Sequence, residues 1–282
     1  MKLAISTYSL WRWRKENGKS LEQALERIRA FDVDAVEMTP IGEEGEDLLR
    51  RAPAIRRRCD KLGLTVCSLC VGAELLVPPR QQKKVVEKLK RDVDAARILG
   101  APTMRHDVTR GVGATSFPAT LKAVVPPICE VADYAATKGI RSSLENHGFY
   151  MQASKRVEQL IKAVNHDHFG LTIDLGNFLC VNENPTDATK RLAKYVIMAH
   201  AKDFHVKPKK QMPPTGWFAT PTPICLRGAI AGHGVLDLPA QLKLLRKAGY
   251  DGHLSLEFEG MEEPTQAIGL GLDYLRATLT SG

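Results

Sequence analysis

Four segments of the chain each end in a side chain that can bind a metal ion or move a proton. Each segment begins with apolar or β-branched residues, and the functional side chains at their ends are Glu145, Asp174, His200 and Glu257. Three carboxylates and one imidazole suit a single divalent ion, Mn²⁺, Zn²⁺, Mg²⁺ or Co²⁺, with positions left for substrate oxygens. Without a cation or protons, three converging carboxylates would repel one another. The pattern therefore predicts one metal site.

Strands and helices must alternate to position these side chains. The predicted strands are rich in apolar and β-branched residues and cover, in chain order, 2–10, 34–40, 64–71, 101–107, 140–145, 169–174, 195–200 and 252–259. The predicted helices carry apolar residues at helical spacing and cover 20–30, 46–62, 81–99, 117–138, 154–165, 187–194, 237–248 and 263–279. Eight strands, each followed by a helix, predict an α/β protein: one (β/α)8 TIM barrel domain spanning 1–282.

A doubly wound parallel sheet is the rival architecture. The barrel is favoured because polar residues gather at the carboxyl ends of nearly every predicted strand, whereas a doubly wound sheet concentrates them at one switch point. No GxGxxG follows the first strand, and no GxxxxGK[ST] occurs. The sequence therefore predicts a site on the barrel rim rather than a nucleotide-binding sheet.

Several local signals refine this prediction. Ser20 and Gln23 have the spacing of a helix capping box, and Pro126-Pro127 is expected to kink the helix that contains it. Cys67 and Cys70 lie three apart on a strand, so we expect them to face opposite sides of the sheet. The stretch 204–236 is long and rich in Pro and Gly and carries Trp217, which predicts a functional or disordered loop.

Composition restricts the class of protein. With 44% hydrophobic residues the 282-residue chain can bury a full core, and its formal charge of +8 raises nucleic acid or a phosphorylated substrate as a partner. The basic residues are spread over predicted helices, which favours solvated helix faces instead. Six cysteines without ligand spacing indicate reduced thiols and a cytoplasmic protein, and no apolar run is long enough to span a membrane.

The strand-end motifs resemble a known family. The sequences Leu-Glu145-Asn-His, Thr-Ile-Asp174-Leu-Gly-Asn, His200-Ala-Lys-Asp and Gly-Tyr-Asp-Gly-His-Leu-Ser-Leu-Glu257 are similar to those of the xylose isomerase-like TIM-barrel superfamily of sugar phosphate isomerases and epimerases. The resemblance implies that Glu145, Asp174, His200 and Glu257 bind one divalent metal. It also implies that the two glutamates act as a catalytic acid/base pair.

The same resemblance supplies candidates for substrate binding. It implies that Glu37 and Lys202 contact the substrate, with His106, His147 and His233 as weaker candidates. Two aromatic residues near the first strand are further candidates, because Tyr8 and Trp11 could form the wall of a sugar pocket by stacking.

The expected reaction is removal of a proton next to a carbonyl group of a sugar or sugar phosphate, giving an enediolate that a metal stabilises. Glu145 or Glu257 would take the proton and the other would return it. Lys202 would hold a developing negative charge or a phosphate. A homo-oligomer is also considered.

Three alternatives remain open. Asn177 and Val206 stand where ketose 3-epimerases of the superfamily tend to carry His and Arg, which places simple ketohexose epimerisation in doubt. A metal-dependent lyase or dehydratase of a keto-sugar or inosose would start with the same proton abstraction. An abasic-site endonuclease is less favoured, because Asn177 counts against a three-zinc cluster. A catalytically silent sugar-binding barrel is the third alternative.

Overall fold

The computed structural model describes residues 1–40 and 47–280. In chain order its strands are β1 (Lys2–Ser6), β2 (Ala35–Met38), β3 (Thr65–Val71), β4 (Thr103–His106), β5 (Arg141–Glu145), β6 (Phe169–Asp174), β7 (Val196–Ala201), β8 (Asp203–Pro208), β9 (Phe218–Ala219), β10 (Ile224–Ala229) and β11 (His253–Leu256). All except β8, β9 and β10 form one closed barrel in the order β1-β11-β7-β6-β5-β4-β3-β2, and its paired strands are parallel. The predicted single-domain (β/α)8 barrel is confirmed.

Helices cover the outside of this barrel. They are α1 (Trp11–Asn17), α2 (Leu21–Arg29), α3 (Leu48–Leu62), α4 (Pro79–Leu99), α5 (Phe117–Thr137), α6 (Ser154–Val164), α7 (Pro185–Leu192), α8 (Leu238–Lys247) and α9 (Pro264–Thr280). Their apolar faces and the outward faces of the strands share one large buried cluster. Within the described ranges, no helix has the length and apolar character needed to cross a membrane.

Local signals set several helix boundaries. The capping box at the start of α2 is confirmed, because Ser20 Oγ accepts from the Gln23 amide and the Gln23 side chain accepts from the Ser20 amide. The predicted start of α3 at Glu46 lies outside the described residues. α5 runs without interruption through Pro126 and Pro127. The first strand is shorter than predicted, since β1 ends at Ser6 and a 3₁₀ turn, Thr7–Leu10, leads directly into α1.

The prediction of a loop over 204–236 was wrong. Residues in this stretch form a three-stranded antiparallel sheet in the order β8-β10-β9. Phe204 and Leu226 are fully buried in a small apolar cluster beneath this sheet. Trp217 lies between the cationic groups of Lys207 and Arg227, which are 5.7 and 5.8 Å from its ring centroid. This sheet continues directly from β7, whose end carries site residues.

Alternation along the strands places selected side chains inside the barrel. At one level the interior is filled by a small cluster, Ala4, Ala35, Cys67 and Met198. Along β7, the side chains of Met198, His200 and Lys202 face inward because they are two residues apart. The prediction that Cys67 and Cys70 face opposite sides was wrong, because the register of β3 against β2 shifts by one residue and both thiols face inward.

Candidate metal centre

Four side chains converge at the carboxyl ends of β5, β6, β7 and β11. One ligand atom from each of Glu145, Asp174, His200 and Glu257 lies within 4.8 Å of all the others. His200 Nδ1 is 2.9 Å from Glu257 Oε2, 3.8 Å from Glu145 Oε1 and 3.9 Å from Asp174 Oδ2. The side chains that the sequence predicted as one ligand set are therefore brought to a common point.

Two buried atoms of this cluster lack hydrogen-bond partners. Neither Asp174 Oδ2 nor His200 Nδ1 makes a hydrogen bond, and the contact of His200 Nδ1 with Glu257 does not have hydrogen-bond geometry. Buried polar atoms are normally paired, so two unpaired lone-pair donors aimed at one point fit a shared cation. With the oxygens of Glu145 and Glu257, they form a donor set of three oxygens and one nitrogen suited to a divalent ion.

Burial and the charges of the cluster shift the pKa values of two of its members. Burial, followed by the charges of Glu145 and Glu257, raises the pKa of Asp174, although Lys202 opposes the shift. Burial alone would lower the pKa of His200, but the carboxylates of Glu37, Glu257 and Glu145 raise it well above the ordinary value. Burial therefore favours a proton on Asp174, and the surrounding carboxylates favour a proton on His200; a divalent ion would displace such protons.

Asp174 is oriented by its own turn. Its Oδ1 accepts hydrogen bonds from the backbone amides of Gly176 and Asn177, at 2.8 and 2.9 Å. The Asn146 side chain bonds both the amide and the carbonyl of Asp174. These four bonds fix the carboxylate with one oxygen used by the fold and the other, Oδ2, directed to the centre of the cluster.

Glu145 is held by two residues that the sequence did not single out as supports. Its Oε2 lies 2.7 Å from Arg105 Nε, and its Oε1 accepts from Asn177 Nδ2 at 3.0 Å. Arg105 also contacts Asp107 at 3.0 Å. The residue that departs from the epimerase pattern, Asn177, thus positions a predicted ligand. For Arg105 the only sequence signal is the alternation along β4, which places it on the inward face directly before the outward-facing end of the strand.

Glu37 is fully buried on β2 and contacts the histidine of the cluster. Its Oε1 is 2.9 Å from His200 Nε2 and 3.2 Å from Cys70 Sγ. This contact fixes the ring so that Nδ1 faces the other ligands. In this structure Glu37 is thus a partner of His200, and its contact with a substrate stays a prediction.

Lys202 is buried beside two of the predicted ligands. Its ammonium nitrogen is 3.3 Å from Asp174 Oδ2, 3.3 Å from Glu257 Oε1 and 3.6 Å from Glu259 Oε2. Tyr8 donates to Glu259 at 3.3 Å, and burial, followed by the charge of Glu259, raises the pKa of Tyr8. Tyr8, Trp11 and Glu259 line a cavity of about 140 Å³. Glu259 is a site residue that the sequence reading missed.

The three additional histidines are placed differently. His147 is partly exposed at the mouth and contacts Asp107 Oδ1 at 2.9 Å; burial lowers its pKa, but Asp107 and the charge of Glu145 raise it overall. His106 was predicted at the site, but it is fully buried on the outward face of β4, beside Phe169. Because Arg105 faces inward, its neighbour must face outward. His233 is exposed in the turn before α8.

A larger cavity of about 680 Å³ lies at the ends of β2, β3 and β4. Its lining includes Arg105, which contacts Glu145, but none of the four predicted ligands. Its outer wall comes from α3 and α4 and includes Arg51, Lys88 and Arg91. The cavity therefore adjoins the cluster through Arg105 and has room for a small polar molecule.

Comparison with known proteins places the chain among proteins of one fold. A family model described as "Xylose isomerase-like TIM barrel" matches residues 25–278. Inosose isomerase of Halalkalibacterium halodurans is 22% identical over 183 residues, which are 62% of this chain and 59% of that protein. The chain thus spans less than two thirds of that relative's length.

Solved structures share the whole barrel. The IOLI protein with a bound zinc atom has a TM-score of 0.78 at 16% identity, and the match covers 100% of this chain and 99% of that one. The probable 3-DHS dehydratase AsbF of Bacillus anthracis has a TM-score of 0.74 at 13% identity, over 98% of this chain and 99% of that one. At these identities the likeness demonstrates a common fold.

Proposed function

The chain belongs to the xylose isomerase-like TIM barrel family, and from this premise we propose that it is a divalent-metal-dependent isomerase or epimerase of a sugar or sugar phosphate. One observation carries the proposal: the ligand atoms of Glu145, Asp174, His200 and Glu257 meet within 4.8 Å of one another at the barrel mouth. The relative described as an inosose isomerase and the neighbour with a bound zinc atom support the same activity and cofactor.

The bound metal would supply Lewis-acid stabilisation of the negative charge that develops on the substrate oxygens. Glu145 and Glu257 are the proposed acid/base pair. They come from strands on different sides of the cluster, β5 and β11, which are separated in the barrel by β6 and β7. In the proposed reaction one carboxylate accepts the proton next to the carbonyl group and the other returns a proton, a step worth about 10²- to 10⁴-fold in rate.

The cations beside this pair have distinct proposed tasks. Arg105, 2.7 Å from Glu145, orients that carboxylate so that it can accept a proton. Lys202, between Asp174 and Glu257, faces the mouth and is the proposed donor to a substrate oxygen on which negative charge develops. Both groups are buried, so their charge acts through little water.

A lyase or dehydratase is the second candidate. The first step, abstraction of a proton next to a carbonyl, is the same, and the structural neighbour described as a probable 3-DHS dehydratase supports this outcome. The reactions diverge afterwards, when either a proton returns to carbon or a hydroxide leaves. An abasic-site nuclease has less support, because the described mouth is rich in carboxylates that would repel a nucleic-acid backbone.

The test combines metal content with hydrogen exchange. Purified protein should hold about one divalent ion per chain, measured by mass spectrometry of the metals. In D₂O, NMR should detect deuterium entering one carbon of a keto-sugar or inosose from a substrate panel. An unsaturated product lighter than the substrate by one water would identify the lyase or dehydratase instead.

Matched variants separate chemistry from stability. Glu145→Gln and Glu257→Gln should abolish the exchange, whereas Glu130→Gln, on the outer surface of α5, should leave it unchanged. Protein without any divalent ion, whose Asp174→Ala variant behaves like the parent, would contradict the proposal.

A further inference from the structure

We propose that the substrate of this site is an uncharged polyhydroxylated ketone and that phosphorylated sugars are selected against. The inference rests on the proposed function, because it presumes ketone chemistry at the metal cluster, and it decides between the sugar and the sugar phosphate that the function leaves open. Three independent features of the described mouth carry it: its backbone amides, its cations and its net charge.

The backbone amides that could bind a phosphate are already occupied by a carboxylate. In barrels of this kind, phosphate is frequently bound by amides in the loops after the seventh and eighth barrel strands, here β7 and β11. After β7, the amides of Phe204, Gly232, Gly234 and Leu236 all donate to the Asp203 carboxylate, at 2.8 to 3.2 Å. The chain's own anion therefore fills this cluster of amides.

The turn around Asp203 is built for that carboxylate. A Cβ atom at Gly234 would lie 2.0 Å from Asp203 Oδ1, so only glycine allows the close approach. Gly232 has a φ of +88°, which favours glycine as well. An external phosphate could reach these amides only if Asp203 were displaced from four hydrogen bonds.

The helices that follow these loops also begin with carboxylates. At the start of α8, Asp237 Oδ1 accepts from the Ala240 amide at 3.0 Å. At the start of α9, Glu263 Oε2 accepts from the Gln266 amide at 2.8 Å. The N-termini of α8 and α9, which could otherwise bind a phosphate, are thus each capped by a carboxylate. That carboxylate would repel a second anion.

The cations of the mouth are paired as well. Arg105 contacts two carboxylates and Lys202 contacts three. In the adjoining cavity, Arg51 is 3.2 Å from Glu22, Lys88 is 2.7 Å from Asp92, and Arg91 is 2.5 Å from Asp47. Among the described residues that line the cluster and this cavity, every lysine and arginine therefore has a carboxylate partner.

The net charge of the centre remains negative with a metal bound. Six carboxylates of the centre each contact Arg105, Lys202 or His200, namely Glu37, Asp107, Glu145, Asp174, Glu257 and Glu259. Arg105 and Lys202 supply two positive charges, and a divalent ion would add two more. A charge of about −2 remains, to which a phosphate would add about −1.5 to −2. An uncharged ligand avoids that repulsion.

The same groups suit hydroxyl recognition. Glu259 and Asp107 are carboxylates that can accept hydrogen bonds from substrate hydroxyls, and Tyr8 and Trp11 supply a wall for the carbon skeleton. A polyhydroxylated ketone therefore finds acceptors at the places where a phosphate would need cations.

The experiment uses the full chain loaded with Mn²⁺ and a minimal pair of probes, dihydroxyacetone and dihydroxyacetone phosphate. Water-proton relaxation measures how each probe displaces water from the bound Mn²⁺, with binding of the phosphate to free Mn²⁺ subtracted. Dihydroxyacetone should bind at least about tenfold more tightly than its phosphate. Equal or tighter binding of the phosphate, or no displacement by either probe, would overturn the inference.

A charge variant tests the cause. Glu259→Gln removes one negative charge from the mouth without touching a proposed metal ligand, so the preference against the phosphate should shrink by about fivefold. Asp34→Asn, an exposed site before β2 at the opposite end of the barrel, should leave the preference unchanged. An unchanged preference in Glu259→Gln would contradict the electrostatic origin.

Deuterium exchange with the same pair separates the two proposals. If dihydroxyacetone displaces water but takes up no deuterium, and no member of the wider ketone panel does so, the isomerase proposal fails while selection against phosphate stands. If the phosphate exchanges faster than the ketone, the isomerase proposal stands and the inference about substrate charge fails.

Discussion

Asp174 ends β6 and Asp203 begins β8 just after the neighbouring barrel strand β7, and both accept hydrogen bonds from backbone amides. The amides bonded to Asp174 belong to the turn that follows it, whereas most of those bonded to Asp203 belong to the distant turn before α8. Asp174 uses only Oδ1 in this way and leaves the buried Oδ2 without a hydrogen bond. Asp203 uses both oxygens, each for two amides. The same residue type therefore serves as a candidate ligand in one turn and as a scaffold in the other.

The difference shows how a functional carboxylate can be recognised at a barrel mouth. A carboxylate whose two oxygens both accept hydrogen bonds from the backbone stabilises a loop. A carboxylate that keeps one buried oxygen without a hydrogen bond can still offer that oxygen to a ligand. In the sequence Lys202 lies between Asp174 and Asp203, and of these two it contacts only Asp174. The comparison leads to four predictions, in decreasing order of effect.

The largest effect is expected for Asp174→Asn. The amide oxygen can keep the bonds to Gly176 and Asn177, but an NH₂ group replaces the oxygen that faces the cluster. Metal affinity should fall by at least about 100-fold, or roughly 2.7 kcal/mol, while the thermal midpoint of the apoprotein changes by only a few degrees. Competition with a fluorescent chelator measures the affinity. A variant that keeps stoichiometric metal would refute the assignment of Asp174 Oδ2.

The reverse pattern is expected for Asp203→Ala. Loss of the carboxylate leaves four amides around Gly232 and Gly234 without their acceptor, and water can replace only part of it. The free energy of unfolding should drop by about 2 kcal/mol. Denaturant titration measures this drop, and the variant's folded fraction should bind metal as the parent does. A stable variant that has lost its metal would reverse the roles given to the two aspartates.

A smaller effect is expected for Glu37→Gln. The glutamine preserves the volume below His200, but it removes the charge that orients the ring and favours a proton on Nε2. Metal affinity should fall by about 10- to 100-fold. Titration calorimetry gives the affinity, and ¹⁵N chemical shifts report the tautomer of His200. A Cys70→Ser control, which changes the other neighbour of Glu37, should have less effect.

The smallest effect is a pH dependence of metal binding. The neighbouring carboxylates raise the pKa of His200 against the effect of burial, so the apoprotein holds a proton there near neutral pH. Metal binding must release this proton. Below the raised pKa, affinity should therefore rise by about tenfold per pH unit as pH increases, and it should level off above it. Proton release measured in two buffers of different ionisation enthalpy checks the sign. Affinity that is independent of pH between 6 and 8 would contradict it.

The sequence predicted the barrel and the four converging ligands because both depend on local rules. Strand-end polarity and alternation place Glu145, Asp174, His200 and Glu257 at one rim whatever their distance in sequence. The roles of Arg105 and Asn177 depend on side-chain reach across strands, which spacing alone does not specify. His106, which the family resemblance suggested as a weaker candidate, lies on the outward face because its neighbour Arg105 on β4 faces inward.

Register and turn chemistry account for the remaining differences. A one-residue shift between β2 and β3 turns Cys67 and Cys70 to the same side, and no residue type marks that shift in advance. The sheet of β8, β9 and β10 was missed because its prolines and glycines indicated a loop, while its pairing partners are 16 or more residues apart along much of the ladder. Long-range pairing overrides local composition there.

The order of strands in the barrel has a consequence for biosynthesis. β1 pairs with β11, and Glu257 follows β11 directly. During synthesis, the segments that carry Glu145, Asp174 and His200 emerge from the ribosome before β11, so the four side chains can meet only once β11 has docked against β1. An ion held by all four would therefore bind late in folding, after this pairing of distant strands has closed the barrel.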